Sequence, residues 1–253
     1  MLSFDPFTLF TIIWIAIAIF IFPVTLKITA PYGRHSKTSW GFMIDNRWGW
    51  FIMEIPSLIL FLFFVLQKGN ITNLLVGTAT VLWVTHYLHR AVIFPLRLHT
   101  SGKKMPVLIM SFAFFFNLIN GSINGFWAGN YSVPFPLEGW NAVRYFAGIT
   151  LFITGYVINQ YHDKILISLR KNSTNGYQIP YGGLFRYISC PNFFGEIIEW
   201  AGFAVLCMSL PALAFFVWTC VNLIPRALDH HKWYCNKFPD YPKERKAIIP
   251  KIL

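Results

Sequence analysis

An all-α integral membrane protein with seven transmembrane helices is the fold class this sequence predicts, and three observations carry the prediction. Of its 253 residues, 55% are hydrophobic and only 12% are charged, where soluble domains average about 25% charged. Seven stretches are long and apolar enough to cross a ~30 Å hydrocarbon core, which takes about 20 residues of helix. Lys and Arg fall almost wholly on alternate connections between those stretches, as orientation in a bilayer requires. With 19% aromatic residues, disorder, coiled coil and collagen are excluded, and a soluble enzyme nearly so.

The first stretch, 5–27, follows Asp5 and meets no Lys or Arg before Lys27, so it lacks the basic start of a cleaved signal peptide and reads as a spanning helix. Further helices are expected over 48–67, 72–96, 106–126, 142–166, 193–209 and 211–230. The last two are separated by a short turn at Pro211, which lacks the amide a continuing helix would need. No strand is expected. Cys190, Cys207, Cys220 and Cys235 form no CxxC pair and read as free thiols. Without repeats, low-complexity tracts or an appended soluble part, the chain reads as a single seven-helix domain, 1–253.

The net charge of +11 comes from 21 Lys+Arg against 10 Asp+Glu. Nineteen of those cations lie on one side, and two, Lys68 and Arg144, on the other. That asymmetry predicts an outer N-terminus and a cytoplasmic C-terminus, and it makes the charge a topological feature rather than a nucleic-acid footprint. The basic connections are also long and rich in Gly, Asn, Tyr and His. Function is therefore expected there, with the accumulated charge drawing an anionic ligand such as a phosphate-bearing cofactor.

Ionisable residues inside a span are costly and usually face the bundle interior or a watery cavity. Glu54 lies two turns into the second helix, with no cation near it in sequence. In the third helix Tyr87 and Arg90 share one face and His86 and His89 the adjacent one. A phenol beside a buried carboxyl can polarise a carbonyl oxygen. Asn159, Asp163 and Arg170 form a stripe on the fifth helix, Asn192, Glu196 and Glu199 one on the sixth, and Arg226, His230 and Tyr234 one on the seventh. The bland alternative for each is an interhelical hydrogen-bond network. Between the fifth and sixth helices, turn formers Asn175-Gly176, Pro180 and Gly182-Gly183 make a structured loop over the pocket mouth, with Tyr177 and Tyr181 exposed.

Two other classes compete. A di-iron oxygenase would use His86/His89 and His230/His231, but it needs many imidazoles at turn spacing, and His35, His99 and His162 are scattered. A transporter would explain buried acids, but would favour broken midplane helices and repeats. No GxGxxG follows a strand, so a dinucleotide would bind without a Rossmann unit.

Taken together, WFIMEIPSL, HYLHRA, NQYHD, LRKN, YQIPYGGLFRYISCPNFFGEIIEW, RALDHHKWY and DYPKERKAIIPKIL, with YGRH at 32–35, resemble the steroid 5α-reductase family, the 3-oxo-5α-steroid 4-dehydrogenases. The similarity runs from Tyr32 to the last residue. It implies an NADPH-dependent membrane oxidoreductase that reduces the Δ4 double bond of a lipophilic 3-oxo-steroid. Matched residue by residue, the resemblance gives Glu54 and Tyr87 as the pair holding the 3-keto oxygen. It gives Asn159, Asp163, Arg170, Tyr177, Asn192, Glu196, Arg226, His230 and Tyr234 as cofactor contacts, with Arg34 and His35 near the adenosine end. The chain departs from the family at Ser101–Pro106, where SGKKMP replaces an arginine-containing loop, and at Asp229, often apolar in relatives. Lys103 supplies a point charge there but no bidentate phosphate contact.

Sterol Δ14 and Δ7 reductases and isoprenylcysteine carboxyl methyltransferases share a similar C-terminal helix pair, here Arg186, Pro191, Asn192 and Glu196. Reduction of another lipid enone or a polyprenol, or methyl transfer of the isoprenylcysteine type, is the alternative. The methyltransferases lack the Glu54/Tyr87 pair. Besides membrane lipid, no nucleic acid, metal or obligate protein partner is expected. The expected location is the inner membrane of a bacterium or the endoplasmic reticulum of a eukaryote.

Overall fold

The computed structural model describes residues 5–28, 33, 38–98, 102–131, 133–171 and 177–253. The protein is mostly helical. Its helices are α1 (Pro6–Thr25), α2 (Asn46–Lys68), α3 (Leu74–Leu88), α4 (Phe94–Arg97), α5 (Val107–Asn130), α6 (Gly139–Lys171), α7 (Pro191–Cys207) and α8 (Leu210–Lys237). Every expected stretch coincides with a helix, the third being α3 and α4 joined through a π-helical turn, His89–Ile93. Five helices, α1, α2, α5, α6 and α8, are long and apolar enough to cross a membrane. Of the other two expected spans, α3 has 15 residues before its π turn and α7 has 17.

The termini of these helices follow from local chemistry. Asp5 caps α1 by accepting from the Phe7 and Thr8 amides, and Asn73 caps α3 through Leu75 and Val76. Met208, at φ 47°, closes α7, and Ser209 caps α8. Pro211 then occupies the first turn of α8, where a missing amide costs nothing, so the turn falls where expected. Helices α6 and α8 outrun the expected 142–166 and 211–230 because the chain turns polar while its helical hydrogen bonding continues.

The expectation of no strand is overturned. Met43–Asp45 (β1) pairs antiparallel with Lys104–Pro106 (β2), Met43 opposite Pro106 and Asp45 opposite Lys104. Three residues are too few to show a period-two pattern, and the partner strand is distant in sequence. The ribbon ties the α1–α2 connection to the loop ahead of α5.

Small residues set the helix spacing. A Cβ built at Gly121 of α5 would lie 2.8 Å from the Ser57 Cα, and one at Gly125 would lie 2.7 Å from the Phe61 Cα. Backbones of α2 and α5 therefore touch, as packing without water between helices favours. Across α6 and α7, a Cβ at Gly195 would lie 2.5 Å from the Asn159 amide nitrogen. Aromatic rings fill the centre: Trp83 stacks on Phe61 at 4.6 Å, and Trp200 meets Phe215 at 4.1 Å. Helix α1 lies against α8, where Trp218 Nε1 donates to the Trp14 carbonyl at 3.1 Å.

After α8 the chain returns to clamp the α6–α7 connection. Ile188 bridges Lys246, and the Ser189 and Cys190 amides donate to the Lys246 and Ala247 carbonyls at 2.8 and 3.0 Å. Buried Arg245 donates to the Pro180 carbonyl at 3.0 Å. Tyr241 and Ser189 share a hydrogen bond of 2.6 Å; burial pushes the Tyr241 phenol up from its ordinary pKa, which keeps its proton on. All four cysteines are free.

Candidate active site

One cavity of about 450 Å³ runs between the helices, within the ~300–1,000 Å³ usual for small-molecule sites. Its lining includes Glu54, Tyr87 and Asn117 with the apolar Met53, Phe116, Phe215 and Trp218, and also Asp163, Arg170, Asn192, Glu196, Arg226 and His230, with Tyr234. Both sets therefore open on one void.

Glu54 projects from α2 and Tyr87, 2% exposed, from the end of α3. Asn117 of α5 joins them: its Nδ2 donates to Glu54 Oε2 at 3.2 Å, and its Oδ1 accepts from the Tyr87 hydroxyl at 3.3 Å. Glu54 also has the cation it lacks in sequence, because Arg90 Nε lies 3.7 Å from its Oε1. The π turn carries Arg90 into the cavity, and such turns recur at functional sites. Its guanidinium lies 4.5 Å from the centre of the Trp50 ring, and its Nη2 is 3.8 Å from Glu196 Oε2.

The second set is knitted across α6 and α7. Asn159, buried behind the wall, donates to the Asn192 carbonyl at 3.0 Å and to Glu196 Oε2 at 3.4 Å. Asn192 Nδ2 donates in turn to Asp163 Oδ1 at 2.9 Å. From α8, buried Arg226 and His230 line the same wall, and Tyr234 stacks on Tyr241 at 5.2 Å. Arg170 sits exposed at the rim with its guanidinium 5.9 Å from the Tyr177 ring, and Lys103 Nζ lies 5.2 Å from that ring. Tyr177 is half-buried against Trp233 rather than exposed, because these cations and the indole cover it. It stands beside the cavity rather than in its wall. Tyr181 is exposed as expected. Arg34 and His35 lie outside the described residues, although Gly33 lines the cavity close to Arg226.

Glu199, on the same stripe as Asn192 and Glu196, turns away from the cavity. Fully buried, it meets His86 Nδ1 at 2.7 Å. His89 contacts Gln160 at 3.0 Å and Arg97 at 3.3 Å, and His231 contacts Ser189 at 2.7 Å. His86, His89 and His231 thus turn to separate partners.

Arg90 and Asn117 line the cavity and Asn120 donates to the Tyr87 oxygen at 3.1 Å, although the sequence pattern assigns none of the three to the site. Arg90 was visible beside Tyr87. Asn117, Asn120 and Asn124 carried a signal too, since spacings of three and four place them on one helical face inside an apolar stretch.

The arrangement brings a carboxyl, a phenol and an amide among apolar side chains onto the same void as cations, acids and amides, which defines an α-helical membrane protein built around a small-molecule site. A family profile described as 3-oxo-5-alpha-steroid 4-dehydrogenase matches residues 103–253. The chain is 44% identical over 239 residues to "Steroid 5-alpha-reductase DET2" of Arabidopsis thaliana, covering 90% of both chains. It is 38% identical over 235 residues to "3-oxo-5-alpha-steroid 4-dehydrogenase 1" of Rattus norvegicus, covering 90% of this chain and 88% of the relative. To "3-oxo-5-alpha-steroid 4-dehydrogenase 2" of Sus scrofa it is 40% identical over 230 residues, covering 87% of both. The chain belongs to the 3-oxo-5-alpha-steroid 4-dehydrogenase family, and it is an oxidoreductase.

Proposed function

We propose that this enzyme reduces the Δ4 double bond of a 3-oxo-steroid with NADPH, the 3-keto oxygen held by Glu54 and Tyr87. The observation that carries this reading is that the pair and the cationic wall open on the same cavity. The second wall suits a dinucleotide: Arg170 and Arg226, with Lys103 beside Tyr177 next to the cavity, supply positive charge for phosphates, and Asp163, Asn192 and Glu196 supply partners for hydroxyl and amide groups. Asn159 acts from behind by holding Asn192 and Glu196. Tyr177 belongs with the rim cations, and Arg34 and His35, next to Gly33, with the adenosine end.

Held there, NADPH would supply the hydride for C5, and a proton from solvent would complete C4. The chain's own part is at the oxygen. Donors on a conjugated ketone make its β-carbon electrophilic, and their bonds strengthen as negative charge builds there, which is selective stabilisation of the transition state. Apolar walls formed by Phe116, Phe215 and Trp218 suit a steroid and keep water away.

The 19-to-2 division of cations supports seven spans, with α3–α4 and α7 completing the set, an outer N-terminus and a cytoplasmic basic face through which NADPH arrives. The inner membrane of a bacterium or the endoplasmic reticulum of a eukaryote would host it. The test is NADPH consumption by purified protein over a small panel of enones, with S-adenosylmethionine and a prenylated thiol in parallel. Turnover of a Δ4-3-ketosteroid is expected, and methyl transfer without reduction would overturn the reading.

A further inference from the structure

Asn117 touches both members of the pair assigned to the ketone, from a helix that carries neither. Its Nδ2 lies 2.7 Å from the Met53 carbonyl and 3.2 Å from Glu54 Oε2. A backbone carbonyl only accepts, so the amide must present nitrogen there. That leaves Oδ1 for Tyr87, at 3.3 Å, and obliges the phenol to donate. Asn120 Nδ2 donates to the Tyr87 oxygen at 3.1 Å, and Asn124 Nδ2 donates to Asn120 at 3.1 Å. All three asparagines are buried. The glycines that bring α5 onto α2 lie between and beyond them, which is why an amide can span the two reactive side chains.

We propose that Asn117 is a positioning residue for the reduction: it sets the spacing of Glu54 and Tyr87 and holds the Tyr87 proton until a ketone oxygen takes its place as acceptor. This rests on the assignment of that pair given above. Without substrate the phenol's one proton points at Asn117. A bound ketone accepts that hydrogen bond instead, while donation from Asn120 keeps the phenol oxygen in place and strengthens it as a donor. No bond forms or breaks at Asn117, which distinguishes its role from that of the pair it serves. Gluing α2 to α5 is the alternative role for a buried asparagine, and the two roles differ in how they combine with loss of Tyr87.

The experiment uses the full chain in detergent with NADPH and a Δ4-3-ketosteroid, comparing Asn117→Ala, Tyr87→Phe and the double variant. Asn117→Ala is expected to lower kcat by about tenfold with the NADPH KM within about twofold. In the Tyr87→Phe background the same change should cost less than about threefold, since groups acting as a unit are not additive. Should Asn117→Ala not fold, as judged by loss of the NADPH-induced shift in thermal unfolding, the near-isosteric Asn117→Asp runs the same comparison. It keeps the acceptor for Tyr87 and removes the donors to Met53 and Glu54. Wild-type kcat in the Asn117 variant beside a slowed Tyr87→Phe would overturn this inference alone, as would an equal fold-loss in both backgrounds. A wild-type rate in Tyr87→Phe would remove Tyr87 from the ketone assignment, and overturn this inference with it.

Discussion

Arg90 Nε lies 3.7 Å from Glu54 Oε1, so a cation in the π turn after α3 answers an acid buried in α2. The same guanidinium reaches toward Glu196 at 3.8 Å. It therefore couples the proposed ketone end of the cavity to the proposed cofactor end. Arg90→Leu should raise the apparent KM for both steroid and NADPH by about tenfold, because removing one partner leaves two acids facing each other across a poorly solvated void. Steady-state kinetics with each substrate varied checks this, and a change confined to one KM would contradict it.

Tyr87→Phe removes the phenol donor at the ketone oxygen, and Glu54→Gln replaces the carboxyl proton with a far less acidic amide N–H, each with little change of shape. Loss of one such donor costs about 2.7–4 kcal/mol in comparable sites, so turnover should fall at least about tenfold in each. Folding should be intact, as read by size-exclusion profile in detergent. Wild-type rates in both variants would refute the assignment.

At the basic end, Arg170→Ala and Arg226→Ala should act on the cofactor. We expect the NADPH KM to rise by about tenfold while that for steroid moves less than about threefold, the signature of lost binding to one ligand. An unchanged NADPH KM in both would count against the cationic wall. Replacing Lys103 by Arg should tighten NADPH relative to NADH, since a guanidinium grips phosphate through two bonds and an ammonium through one point of charge.

The α2–α5 contact has no room for a side chain at Gly125. Gly125→Leu should force the backbones apart and destabilise by about 1–3 kcal/mol or more, with Gly125→Ala milder. Thermal unfolding followed by intrinsic fluorescence would show it, and equal melting temperatures would mean the helices do not pack this way. Activity should fall in parallel, because Asn117 rides on the same helix.

Arg245→Leu tests the clamp formed by the C-terminal segment. Its guanidinium donates to the Pro180 carbonyl and lies 4.9 and 5.1 Å from the Tyr181 and Tyr241 rings. Leaving that carbonyl without its charged donor should cost about 1.5–3 kcal/mol. The effect should appear as a lower melting temperature and faster proteolytic cutting between α6 and α7. No change in either would mean the segment is not holding that connection.

The helices were legible because their signal is local: runs of apolar residues ended by polar ones, and a proline where one helix stops and the next begins. So was the membership of the three stripes, since spacings of three, four and seven put residues on one helical face whatever lies opposite. The stripes on α6, α7 and α8 do meet, and Glu54 and Tyr87 do share a cavity. What lies opposite is the part that periodicity cannot supply. Arg90 as partner of Glu54, Asn117 between Glu54 and Tyr87, and Glu199 turning to His86 all depend on which helix packs on which, and glycine contacts between backbones decide that. The β1–β2 ribbon and the clamp of Ile188 onto Lys246 escaped notice for the same reason, being a few hydrogen bonds between distant residues with no repeat to announce them. Sequence alone thus determined the helices and the faces that would be polar, because hydrophobic patterning acts along the chain. Tertiary structure alone decided which polar groups became partners, because charge and hydrogen bonding act through space.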